Sequence, residues 1–127
     1  MIRYAATTRD ITVTVHPVYL DEPSNLVEHT FHFGYAVRVS NNSTKKIDLL
    51  RQRWIVRGAD GSLQQPAEDA TLRPRPSVAP GDEQTFERTC TLDSFDGIVE
   101  GTFLAQRPNG EQFRVSVPSF HLHAAAN

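Results

Sequence analysis

Five large apolar side chains, Phe31, Phe33, Tyr35, Val37 and Val39, occupy every second position of one run and alternate with His32, Gly34, Ala36, Arg38 and Ser40. A helix cannot gather such a run onto one face. An extended strand does, because its successive side chains point to opposite sides. The pattern recurs in Ile11, Val13 and Val15 against Thr12, Thr14 and His16, and in Phe113, Val115 and Val117 against Gln112, Arg114 and Ser116. These β-branched and aromatic residues suit a half-buried pleated surface. No stretch of similar length carries a helical period with caps, so the chain reads as all-β.

Turn residues divide the runs. Asp60-Gly61 and Asn109-Gly110 separate strand-like segments, where glycine accepts the positive φ of a tight hairpin. Pro80-Gly81 and Asp96-Gly97 mark further turns, and Asn41-Asn42-Ser43 closes one strand before Ile47 opens the next. Strands are expected near 9–19, 31–41, 47–58, 62–65, 84–91, 97–107 and 111–121. About seven antiparallel strands in 127 residues point to one β-sandwich of immunoglobulin or fibronectin type III character, with a partly open barrel as the alternative. Between Gln64 and Ala79, Pro66, Pro74 and Pro76 break the pattern. That segment reads as a surface excursion or an irregular edge, since proline cannot donate to a ladder. Asp21 to Glu28 reads as a second long connection. Met1 to Thr8 and Ala124 to Asn127 read as loose tails, leaving one domain over 1–127 with its core at about 9–122.

Charge narrows the function classes. With 13 basic and 15 acidic side chains the net charge is -2, which makes no global electrostatic case for nucleic acid or an anionic membrane. The single cysteine, Cys90, excludes an intrachain disulfide and a multi-cysteine zinc site. No apolar run nears the roughly 18 residues of a membrane span, and no charged-then-apolar leader opens the chain. A cytoplasmic location is expected.

Ile11-x-Val13-x-Val15, Tyr19 and Ser24 lead into the Phe31 to Asn41 run, followed by Leu49-Leu50-Arg51-Gln52-Arg53-Trp54-Ile55-Val56 and Asp60-x-x-Leu63. Ala79-Pro80-Gly81-Asp82 comes next, then Phe86, Cys90, Leu92, Phe95, Gly97, Gly101 and Phe103. The series closes on Gly110-x-x-Phe113-x-Val115-x-Val117-Pro118-x-Phe120-x-Leu122. In this order the set resembles the bacterial ApaG family from about Ile11 to Leu122. The resemblance implies a fibronectin type III-like sandwich, an association with cobalt resistance and magnesium efflux, and no catalytic residues. Related domains in eukaryotic F-box proteins and a polymerase-delta-interacting protein look like interaction modules. Two places depart from the family pattern. Glu68, Ala70 and Arg73 stand where members carry a G-x-G-x-x-G stretch, so a glycine cradle for a nucleotide phosphate is not expected. Gln52-Arg53 replaces the family's Arg-His before the tryptophan.

The residues favour recognition over chemistry. Arg51, Arg53 and Arg57 are odd positions of one strand and are expected to face outward together, with Trp54 turned into the core between the sheets. Arginine forms bidentate and stacked contacts, so this strip suits an acidic peptide or a phosphate. Arg73 and Arg75 extend it if the proline-rich segment folds nearby. The expected partner is a protein rather than nucleic acid or a membrane, and self-association through a sheet edge is left open. His121 and His123 share a strand face, but no third ligand stands at a fixed spacing. Asp93 and Asp96 read as turn residues, and Cys90 as a small buried hydrophobe. No catalytic residue, metal site or cofactor is assigned. The second reading, drawn from the resemblance, is a ligand- or divalent-cation-linked regulator of cobalt and magnesium homeostasis.

Overall fold

Alternation becomes burial. In β3 (Thr30–Asn41) every second side chain is buried over the whole strand, from Phe31 to Asn41. The structure, a computed structural model, describes residues 2–25, 27–64 and 66–124. Among them are eight further strands: β1 (Tyr4–Thr8), β2 (Ile11–Asn25), β4 (Ile47–Gly58), β5 (Glu68–Thr71), β6 (Ser77–Val78), β7 (Glu83–Leu92), β8 (Asp96–Gln106) and β9 (Gln112–His123). They form two antiparallel sheets, β1-β2-β3-β7 and β5-β4-β8-β9, with β6 also paired to β4. The inner faces meet in one core. Val13, Phe33, Tyr35 and Val37 of the first sheet pack with Trp54, Phe103, Val115 and Phe120 of the second. No helix long and apolar enough to cross a membrane occurs among the described residues.

Two irregularities set which residues reach the surface. The β4–β8 register slips between Leu49 and Arg51. Ile47 and Leu49 therefore point inward before the slip, and Leu50, Trp54 and Val56 after it. A one-residue slip exchanges the faces of a strand, and this one turns Arg51, Arg53 and Arg57 outward. A second slip lies between Val99 and Gly101 in the β8–β9 pairing. A Cβ at Gly101 would sit 2.7 Å from the Trp54 ring and 3.0 Å from the Arg53 carbonyl oxygen. The glycine lets the indole lie directly on β8.

The structure corrects several expectations. Tyr4–Thr8 is not a loose tail. It pairs with β2, and Tyr4 packs its ring 6.1 Å from Phe120. Arg9 and Asp10, with φ of 47° and 65°, form the two-residue turn between these strands. β2 continues through Asn25, past the Asp21 where a connection is expected. Residues 62–64 form no strand, only an isolated bridge from Leu63 to Arg57, and the last position of the strand expected at 62–65 lies outside the described residues. The proline-rich segment takes the second of its two expected forms, an irregular sheet edge. It carries β5 and β6 along β4, with Leu72 N–H donating to Leu50 and Leu49 N–H to the Pro76 carbonyl, both at 2.9 Å. Asp96-Gly97 is not a turn but the start of β8, because a Cβ on Gly97 would lie 2.6 Å from the Arg57 carbonyl oxygen. The Asn41 turn is as expected. Its buried amide donates to Lys45 and Val78 carbonyls at 2.8 and 2.9 Å, so both of its hydrogens are satisfied.

Candidate functional site

The outer face of the five-stranded sheet gathers arginines from two strands. Register places Thr71, Arg51, Leu104 and Arg114 in one row across the strands, and Asp69, Arg53, Thr102 and Ser116 in the next. Ile55 then stands opposite Glu100, and Arg57, Ile98 and His121 form the row beyond. The expected strip of Arg51, Arg53 and Arg57 is therefore assembled. Arg114, seen in the sequence only as the polar partner in an alternation, joins it from β9.

These arginines are not equivalent. Arg51 is engaged, with Nη2 2.9 Å and Nε 3.3 Å from an Asp69 oxygen and Nη1 donating to Thr71 Oγ1 at 3.0 Å. Arg57 donates one Nη1 bond to the Gly61 carbonyl at 3.2 Å. Arg53 and Arg114 make no side-chain hydrogen bond or ion pair among the described residues. They flank a shallow dish of about 450 Å³ that also includes Ile55, Glu100, Gly101 and Thr102. Arg73 and Arg75 are exposed in the connection between β5 and β6, at the edge of the same sheet.

Beneath this face lies a polar cluster that the sequence does not disclose. Arg88 stands on the inner side of β7, opposite Tyr35. Its guanidinium lies 5.1 Å from the Trp54 ring centroid, donates to Gln52 Oε1 at 3.3 Å and ion-pairs with Glu68 of β5. Gln52 Oε1 also accepts the Trp54 indole N–H at 3.0 Å. Burial raises the Tyr35 phenol pKa, with the Arg88 hydrogen bond opposing it in part. The cluster ties the edge strands of the two sheets together. No motif in one segment could reveal it, since its residues come from four strands.

The remaining candidates are accounted for locally. His121 and His123 share a face as expected, and His123 is paired with Asp96. Asp93 donates its backbone N–H to Gln64 Oε1 at 2.9 Å, beside an open groove of about 430 Å³ at the loop end. Cys90 is buried, and burial pushes its thiol pKa up to about 11, so the thiol stays protonated near neutrality. His16, on the outer face of β2, has Nδ1 3.2 Å from the Ile2 carbonyl. Among the described residues, no three His, Cys, Asp or Glu side chains converge as metal ligands would.

The family model of the ApaG domain matches residues 21–107. The chain belongs to the ApaG family. It is 34% identical over 119 residues to Protein ApaG of Paramagnetospirillum magneticum, covering 94% of this chain and 92% of the relative. Protein ApaG of Agrobacterium fabrum matches with the same identity and coverage. Among solved structures, the putative ApaA protein from Bordetella pertussis superposes with a TM-score of 0.83 at 27% identity, covering 90% of this chain and 93% of that one. The C-terminal domain of Wzt shares the fold, with a TM-score of 0.63 at 17% identity over 98% of this chain and 79% of that one. In this ApaG-family chain, two of the three positions read as departures from a glycine-rich stretch, Glu68 and Ala70, lie on β5, and Glu68 holds Arg88 there.

Proposed function

We propose that this ApaG-family chain is a non-catalytic module that binds a protein partner through the outer face of its five-stranded sheet. The observation that carries the reading is that Arg53 and Arg114 are exposed and unpaired among the described residues, on a face that also holds Arg51 and Arg57, in a chain of net charge -2. A guanidinium left without a carboxylate on a flat face is ready for one from outside. Arg73 and Arg75 extend the surface at the sheet edge. Chemistry is not favoured, because the one thiol is buried and held protonated.

The test is affinity capture from the native cell, comparing the parent with the double variant Arg53→Glu, Arg114→Glu, which spares the Arg51–Asp69 pair. The parent is expected to retain a protein that the variant loses, with thermal midpoints nearly equal because surface changes usually stay within about 0.5 kcal/mol. Equal capture by both removes this face as the site. A rise in the midpoint with micromolar cobalt or magnesium would favour a cation-linked regulator instead, since a ligand of the folded state alone stabilises it by mass action.

A further inference from the structure

Alternate residues of an extended chain lie about 6.8 Å apart on one face, twice the rise per residue. Arg53, Ile55 and Arg57 thus present a guanidinium, an apolar side chain and a guanidinium at that spacing on the outer face of β4. An extended peptide laid along β4 would carry its own alternate side chains at the same interval. Glu100 stands directly opposite Ile55 and faces the middle of this row. A carboxylate placed at the centre of the peptide would meet Glu100, whereas an apolar residue there would rest on Ile55. Arg114 lies two strands across from β4, one row from Arg53 and roughly 10 Å away in the strand-to-strand direction. It adds a second unpaired guanidinium at the Arg53 end. Asp69, the carboxylate opposite Arg53 in the register, is already held by Arg51.

Resting on the reading above, we propose that the partner segment is an extended acidic peptide with one carboxylate two positions before, and another two positions after, an apolar residue. Arg53, with Arg114 beside it, takes the first carboxylate, Ile55 takes the apolar side chain, and Arg57 takes the second. Chain direction is left free, because the row is symmetric in charge. Single-stranded nucleic acid fits less well: no Phe, Tyr or Trp stands in these rows to stack a base, and Glu100 faces the phosphate path.

Fluorescence anisotropy at low ionic strength tests this with the labelled peptide Gly-Ser-Asp-Thr-Val-Thr-Asp-Ser-Gly. One control has Asp in place of the central Val, and a second has Lys in place of both Asp residues. Saturable binding of the first peptide, weaker binding of the central-Asp peptide and none of the Lys peptide are expected. Arg53→Glu and Arg114→Glu should each weaken the first peptide about tenfold or more, the worth of a charge-assisted hydrogen bond. Arg53→Gln and Arg114→Gln serve if a reversal unfolds the chain, and Glu100→Gln should bring the central-Asp peptide up to the first. Absence of binding, retention by all the arginine variants, or equal binding of the central-Asp peptide by the parent overturns the proposal, as does tighter binding of an oligothymidine of matching length. If the peptide fails while partner capture still depends on the arginines, only the partner chemistry proposed in this section falls. Loss of that dependence removes the protein-binding reading itself.

Discussion

Replacing Arg88 tests how the sandwich is closed along the side where β5 and β7 end their sheets. Its side chain is 21% exposed and that of its partner Glu68 35%, so this pair is more shielded than Arg51–Asp69, at 45% and 56%. Arg88→Ala removes a charge-assisted bond worth about 1.5–3 kcal/mol and a cation–π contact worth about 0.5–1 kcal/mol. Partial solvation puts the sum near the lower end, at about 2–3 kcal/mol, or roughly 10 °C in Tm for a domain of this size. Glu68→Gln should cost less, about 1 kcal/mol, because Gln52 and the Trp54 ring remain for the arginine. A double-mutant cycle by urea unfolding should give a coupling of about 1 kcal/mol. Trp54 is the only tryptophan in the chain, so its emission reports this place alone and should shift to longer wavelength in Arg88→Ala as water reaches the ring. Coupling within the ~0.5 kcal/mol expected of independent sites, together with unshifted emission, would refute the closing role.

Two further outcomes follow from burial. Trp54→Ala should destabilise by about 3–5 kcal/mol in urea unfolding, because a 1% exposed ring between Tyr35 and Phe103 leaves a cavity that β-sheets cannot collapse; a loss below about 1 kcal/mol would contradict that packing. Cys90 should make the protein alkali-sensitive. Its thiol pKa rises from 9.0 to about 11 on folding, so the folded state binds the proton more tightly, and stability that is complete below pH 9 falls as pH climbs toward 11. The loss is about 2 kcal/mol at pH 11. Burial raises Tyr35 in the same direction, so the thiol's share is read as the difference between the parent and Cys90→Ala, and parallel pH profiles would rule it out.

How much of this was legible depended on how far each signal reached along the chain. Wherever one strand had one wet and one dry face, period two located it, as in Phe31 to Val39 and Phe113 to Val117. β1 escaped because Tyr4-Ala5-Ala6-Thr7-Thr8 carries one large apolar residue, and its turn uses Arg9-Asp10 at positive φ where glycine or asparagine would have signalled it. β5 escaped because Glu68-Asp69-Ala70-Thr71 is a short polar edge whose strand state depends on the backbone of β4. Gly97 misled for a steric reason. A glycine kept for close approach to a neighbouring strand looks the same in sequence as one kept for a turn.

The candidate site divides along the same line. Arg51, Arg53 and Arg57 were legible as a set because parity alone puts them together. Which of them is free was not, since that depends on Asp69 and Thr71 arriving on β5 and Gly61 from the next turn. Arg114 needed the β4-β8-β9 order before it could be placed near Arg53. The same order bears on whether a partner meets an edge or a face. β5 and β6 cover one edge of β4, and β7 turns the charged Arg88 inward along its length. An inward charge and a covering strand are both devices by which sheets discourage an added strand. With those edges guarded, and with Arg53 and Arg114 unpaired among the described residues, the proposed partner is expected on the open face rather than along these edges.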